Sequence, residues 1–357
     1  MYFRISSFAL LALVTFCLPY NIHADESAFD PSVAGVQDAV LTINSDSTLH
    51  LTVEPLFGIR YGQMGEHLFY QDRGEYKKLS YLEWEEKPLW YGGGKLSANY
   101  RRISGTLILT GAIPGRTGSM YDSDWVNLND MKTDYSISEN SVNSDIHTGV
   151  EVSYTFNPSG QTTIVPFTGF DFEYISFSAK NGHGWYADED TINEYNQKYG
   201  YPLVNQSYSY DSSQAVYFPE GSLYGVDYTR FTYTLWLGCT VSFTPIDRLT
   251  LYVCPAFSPY MWVQAVDHHH GQDGGTYYMD QTNEWLAAVK ATITAEYRIN
   301  HIYSLVLSCS GGKSSIIRGY TYTSASENSG YSRLENYEGG TSYQYVDASL
   351  GLLIHLF

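Results

Sequence analysis

Charge is scarce in this chain and uneven in sign. Lys, Arg, Asp and Glu make up 16% of 357 residues, 20 basic against 38 acidic, for a formal net charge of −18. That balance excludes nucleic acid as a partner and suits cationic ones such as basic peptides. Cysteine is nearly missing as well. Cys17 lies in the first apolar run, with no lipobox before it, and Cys239, Cys254 and Cys309 remain. Strand alternation puts Cys239 and Cys254 on opposite faces, so no bridge joins them. The three read as small packing residues rather than a redox framework. Long hydrophobic runs are also lacking. Beyond Tyr20 nothing approaches the ~18 continuous apolar residues of a spanning helix.

The first residues have the make-up of a secretory signal: Arg4 supplies positive charge, Ile5 to Tyr20 is a short apolar core, and Ile22-His23-Ala24 is a small-residue cleavage site. Residues 1–24 are therefore expected to be a signal peptide and 25–357 one mature domain.

What is abundant is tyrosine, 34 residues, within an aromatic share of 16%. Tyr and Trp suit places where one end of the ring is apolar and the other wet. Alternation runs throughout. Val150, Val152, Tyr154 and Phe156 alternate with polar residues, as do Phe231, Tyr233, Leu235 and Leu237. From Trp285 to Tyr297 every second residue is expected on the apolar face. Apolar outside and polar inside is the signature of a transmembrane β-barrel. Short turns fall at Arg101–Ser104, Asn157–Gln161, Thr244–Arg248 and Asn300–Ile302. Long polar connections are expected near Tyr70–Glu75, Val126–Ile146, Gly184–Gly221, His270–Thr282 and Ser324–Thr341. Four short and five long connections join ten antiparallel strands, with both chain ends on the short-turn, periplasmic side. Leu350, Leu352, Ile354 and Leu356 form the apolar face of the last strand, and Phe357 falls on the other.

Two motifs stand out on this frame: Tyr121-Asp122-Ser123-Asp124-Trp125 and Asp267-His268-His269. Residues i and i+2 share a strand face. Asp122 and Asp124 therefore point one way, and Asp267 pairs with His269. Counted from their short turns, both motifs stand roughly 45 Å up, well above an apolar band about 25 Å tall. A carboxylate pair facing an Asp-His pair can hold and activate a water molecule.

The chain resembles the omptins, ten-stranded outer-membrane endopeptidases of Gram-negative bacteria. The likeness is carried by Gly62-Gln63-Met64-Gly65-Glu66, Leu79-Ser80-Tyr81-Leu82-Glu83-Trp84, Gly118 to Trp125, Ser176-Phe177-Ser178-Ala179 and Val266 to His269. The resemblance implies an aspartic-type endopeptidase on the outer surface, with virulence as its setting. It makes His269 the general base, Asp267 its orienting partner, and Asp122 and Asp124 the opposite wall holding the water. It puts Glu66 in the pocket for a basic substrate side chain. It makes Arg230 an outward lipid-binding residue and lipopolysaccharide an activating partner; no cofactor is otherwise implied.

Three positions depart from the family pattern. Ala265 stands where a second acidic pocket residue belongs, which puts the cleavage preference in question. Phe172 and Tyr174 replace lipid-binding polar residues and fit an aromatic girdle instead. The His268–His270 run, with Asp267 and Asp273, has a metal-binding composition. Adjacent strand residues face opposite ways, so His268 and His269 make poor co-ligands and no catalytic metal is expected. Two rival readings accompany the peptidase: a non-enzymatic adhesin or host-interaction barrel, motivated by those departures, and a small porin, disfavoured because barrels of ~8–10 strands fill with side chains.

Overall fold

The computed structural model describes residues 49–126, 132–159, 162–187, 197, 216–271, 275–327 and 329–356. The expected signal peptide, Asp273 and Phe357 lie outside them.

Fourteen β-segments form ten staves. β1 (Leu49–Asp72) and β2 (Glu75–Tyr100) are single staves. The third joins β3 (Ile103–Ala112) to β4 (Gly115–Asp124) across Pro114. β5 (Asp134–Tyr154) follows. β6 (Phe156–Ser159) extends the turn into β7 (Thr162–Tyr186), and β8 (Val216–Leu223) leads into β9 (Val226–Ile246). β10 (Leu249–His269) and β11 (Thr276–Arg298) come next. The ninth stave joins β12 (Tyr303–Ser314) to β13 (Ile317–Ser324), and β14 (Ser332–His355) is the tenth. Neighbours pair antiparallel, and β1 pairs with both β2 and β14, which closes the ring. Closure pairs each stave with a neighbour on both sides, which is how a sheet satisfies its backbone in lipid.

The four short turns fall where alternation stops. Leu49 and His355 end on that same side, Thr52 standing opposite His355. The long connections are shorter than expected. Tyr70–Glu75 is a two-residue hairpin, Arg73-Gly74, with φ of 51° and 90°. Both central residues of such a turn take φ > 0, and Arg-Gly carries a weaker turn signal than Asn-Gly. β5 begins at Asp134, β11 at Thr276 and β14 at Ser332, all inside stretches expected to be loops. Above the membrane neither face meets lipid, so these segments pair without apolar alternation. Ser136, Ser138 and Asn140 are the buried face of β5 there.

Outside, an apolar belt is exposed along Leu107, Leu109, Val152, Leu235, Leu237, Val289, Ile293, Leu305, Leu307 and Leu350. Phe172 packs on Phe231 and Tyr233, and Tyr233 on Trp262, which builds the expected girdle. One alternation breaks. Leu286 has φ 56°, and the ladder to β10 slips between Ser258 and Tyr260. Trp285 and Leu286 both point outward, 73% and 74% exposed, and Ala287 turns inward. A β-bulge adds one residue and shifts the face pattern.

Inside the belt the lumen is charged: Arg60 lies 3.3 Å from Glu173, Lys290 3.1 Å from Asp171 and Lys95 3.1 Å from Glu54. Above that, the lumen is filled. Trp84 stacks on Phe177 and Tyr228 at 5.8 and 5.0 Å, within a buried cluster including Met64, Met120, Val142, Ile175 and Ala265. This layer floors everything above it. Among the described residues, Cys239, Cys254 and Cys309 are free thiols, and Cys309 is exposed.

Candidate active site

The two motifs end their strands: Asp124 is the last residue of β4 and His269 the last of β10. Tyr278, opposite Asp267 on β11, stands about 20 Å above the outward Trp285–Leu286 bulge at strand rise and barrel tilt. Alternation aims the side chains. Met120 belongs to the inner core, so Asp122 and Asp124 face inward from β4. Val263 and Ala265 are buried inside, so Asp267 and His269 face inward from β10.

His269 Nε2 lies 2.6 Å from Asp267 Oδ2, and the Asp267 side chain is only 3% exposed. Asp122 Oδ1, Asp267 Oδ1 and Glu66 Oε2 are buried with no hydrogen-bond partner. Glu66 and Asp267 line one cleft, and orphaned carboxylate oxygens there are costly unless water or a ligand satisfies them. The cleft measures about 520 Å³ and is lined by Glu66, His67, Asp124, Asp267, His269, Tyr278 and Asp280 among others.

The charges are strongly coupled. Burial works against a charged His269 imidazole. Asp267, by charge and hydrogen bond, with Asp122 and Asp124 opposite, outweighs that and holds it at about 9. Burial, then the Asp124 charge, pushes Asp122 well above the usual carboxylate range, against the pull of His269. Burial, Asp267 and Asp280 raise Glu66 likewise. Asp280 sits at about 8, raised by burial and Asp267 despite the hydrogen bond Thr321 donates to it at 2.6 Å. Burial and the nearby Lys78 and Arg318 keep His67 neutral, at about 4. Its ring lies 4.6 Å from Tyr81.

The structure thus brings Asp124, Asp267, His269 and Glu66 to one cleft, with Asp122 buried within charge–charge reach of His269 and Asp267. It corrects Arg230. That side chain is fully buried, donates to Thr232 Oγ1 at 3.0 Å and to the Ser342 carbonyl at 3.3 Å, and faces the Tyr343 ring inside the barrel. Phe231 and Tyr233 take the outer face, so parity sends Arg230 inward, away from lipid. Two residues escape sequence reasoning. Asp280 falls in a stretch read as loop. Lys132, within Coulombic reach of Asp122 and Asp124, is stacked 4.2 Å over Tyr135 at the rim. Only cross-strand register reveals either.

A closed ten-stave ring, an apolar belt and a buried acid–histidine cleft at one mouth define an outer-membrane β-barrel with a surface site. The chain matches the Omptin family over residues 47–356 and belongs to it. Among solved structures it is similar to the outer membrane protease OmpT from Escherichia coli, with 16% identity and a TM-score of 0.72, covering 87% of this chain and 99% of that one. At that identity the likeness is one of fold. The translocator domain of the autotransporter NalP from Neisseria meningitidis also matches, at 8% identity and a TM-score of 0.31, with 88% of this chain and 92% of that one covered. No curated protein matches the chain.

Proposed function

We propose that this omptin is an outer-membrane endopeptidase whose cleft faces the exterior and hydrolyses exposed polypeptides beside basic residues. The observation that carries it is the His269–Asp267 contact in an acid cleft whose far wall is Asp122 and Asp124. Asp267 engages Nε2, which leaves Nδ1 to take a proton from water. The hydroxide attacks the scissile carbonyl carbon as the proton reaches His269. Asp267 stabilises the imidazolium. Asp122 and Asp124 hold the water from the opposite wall as the charge develops. The imidazolium then returns its proton to the departing amine. No acyl-enzyme forms, and no metal is required.

Glu66 and Asp280 make the pocket for the basic side chain. Ala265 stands directly opposite Asp280 in the β10–β11 ladder, so the second carboxylate comes from the neighbouring strand. That answers the Ala265 departure, one of the three that motivate a non-enzymatic barrel. The test is cleavage of a peptide library by refolded protein beside His269→Ala. Equal cleavage by both defeats the mechanism. Cleavage confined to non-basic sites defeats the pocket assignment only.

A further inference from the structure

Strand alternation splits the histidine run. His269 points into the cleft, so His268 and His270 point to the outer surface of the rim. Asp227 joins them from β9, where its neighbours Val226 and Tyr228 are buried inside. His268 stands opposite Asp227 in the β9–β10 ladder. The His270 backbone N–H donates to the Gly225 carbonyl at 3.0 Å, which continues that pairing past the end of β10.

One donor atom from each of Asp227, His268 and His270 lies within 4.8 Å of the others. We propose that these three side chains bind a borderline divalent transition metal of the zinc class, on the outer surface, back to back with the cleft. Two imidazoles and one carboxylate, with a water completing a tetrahedron, are a zinc ligand set; calcium and magnesium take oxygen donors. Bound donors stand about 3.5 Å apart around ~2.0–2.2 Å bonds, so closing on an ion needs only rotamer adjustment.

The surroundings orient the donors. Ser178 Oγ donates to Asp227 Oδ1 at 2.6 Å, and Asn143 Nδ2 donates to Ser178 Oγ at 2.8 Å. That chain crosses β5, β7 and β9, and it holds the carboxylate with Oδ2 toward the histidines. His268 lies flat on Tyr277, ring centroids 3.9 Å apart and 5° from parallel. The rings of His268 and His270 are 4.1 Å apart. Such outer partners tune metal affinity by about 10- to 100-fold. His270 Nε2 and Asp227 Oδ2 are 2.8 Å apart, and an ion takes the place of the proton between them. A surface histidine pair alone would not need the Asn143–Ser178–Asp227 relay.

The experiment is calorimetric titration of Zn²⁺ into refolded, detergent-solubilised full chain, with Co²⁺ absorption reporting coordination. One Zn²⁺ per chain is expected in the wild type and in His269→Ala. His268→Ala, His270→Ala and Asp227→Asn should each weaken binding by about tenfold or more, with heat-modifiable gel mobility verifying the barrel. Several outcomes overturn the proposal: no saturable Zn²⁺ binding, unchanged binding in any of the three variants, equal binding of Mg²⁺, or loss of binding in His269→Ala. The last would put the ion in the cleft.

Discussion

Asp280 stands directly across the β10–β11 ladder from Ala265, both side chains buried inside the barrel. Opposite residues on one face of an antiparallel pair have Cβ atoms about 5 Å apart. A carboxylate moved by one strand therefore reaches nearly the same space. Asp280→Asn should raise KM for peptides with Lys or Arg at the cleavage site by about tenfold or more, the worth of a charge-assisted hydrogen bond. The kcat should change far less. Adding Ala265→Asp to that variant should restore much of the loss; steady-state kinetics on paired basic and neutral peptides checks both.

Loss of the proposed base, His269, should be the severest lesion. His269→Ala should lower kcat/KM by about 100- to 10,000-fold, and Asp267→Asn should act through the same imidazole. Their combined effect should fall well short of the product of the two, since the residues act as a unit. A double-mutant cycle measures this.

Acidity follows from the field around His269. An imidazole held at about 9 is protonated at neutral pH and cannot act as base. Activity should climb with pH, pass its half-maximum near 9 and level off above it. Removing a carboxylate that raises it moves the inflection down, so Asp124→Asn should shift the rising limb to lower pH while depressing the plateau. A pH–rate profile of kcat/KM separates the two effects. Asp280, at about 8, is also protonated at neutral pH. Basic substrates should therefore bind more tightly as pH rises through that value.

Lipid should matter little to the chemistry. Arg230 is sealed inside, and the outer face of β7 and β9 carries Phe172, Tyr174, Phe231 and Tyr233. Aromatic rings offer no charge to a lipid phosphate. Refolded protein should cleave with similar kcat in detergent with and without added lipopolysaccharide.

Conductance offers an independent check on the lumen. The Trp84–Phe177–Tyr228 stack and its buried neighbours fill the lumen beneath the cleft. Planar bilayers containing the protein should show no steady channel current.

Much of this was legible in the sequence where lipid imposes a pattern. Leu235 and Leu237 must face hydrocarbon, so their stave reads at once, and the short turns follow. Asp122-x-Asp124 and Asp267-x-His269 were legible because shared parity is a local property. Above the belt the pattern fades. Asp134, Thr276 and Asp280 sit in strands wetted on both faces, so nothing in their neighbours' polarity marks them as paired. Arg230 was decidable from Phe231 and Tyr233 alone; the lipid role carried by family resemblance conflicts with that parity, and the structure follows the parity. Asp227 joins His268 and His270 only through register, which no single segment encodes.

The aromatic floor beneath the cleft also dictates traffic. With Trp84, Phe177 and Tyr228 packed in the lumen below, a polypeptide meets a layer of buried rings rather than an open tunnel. It must be laid across the mouth from the side, and both fragments must drift back the way they came. Under the proposed activity, the products of cleavage at this rim are released on the side from which the substrate arrived.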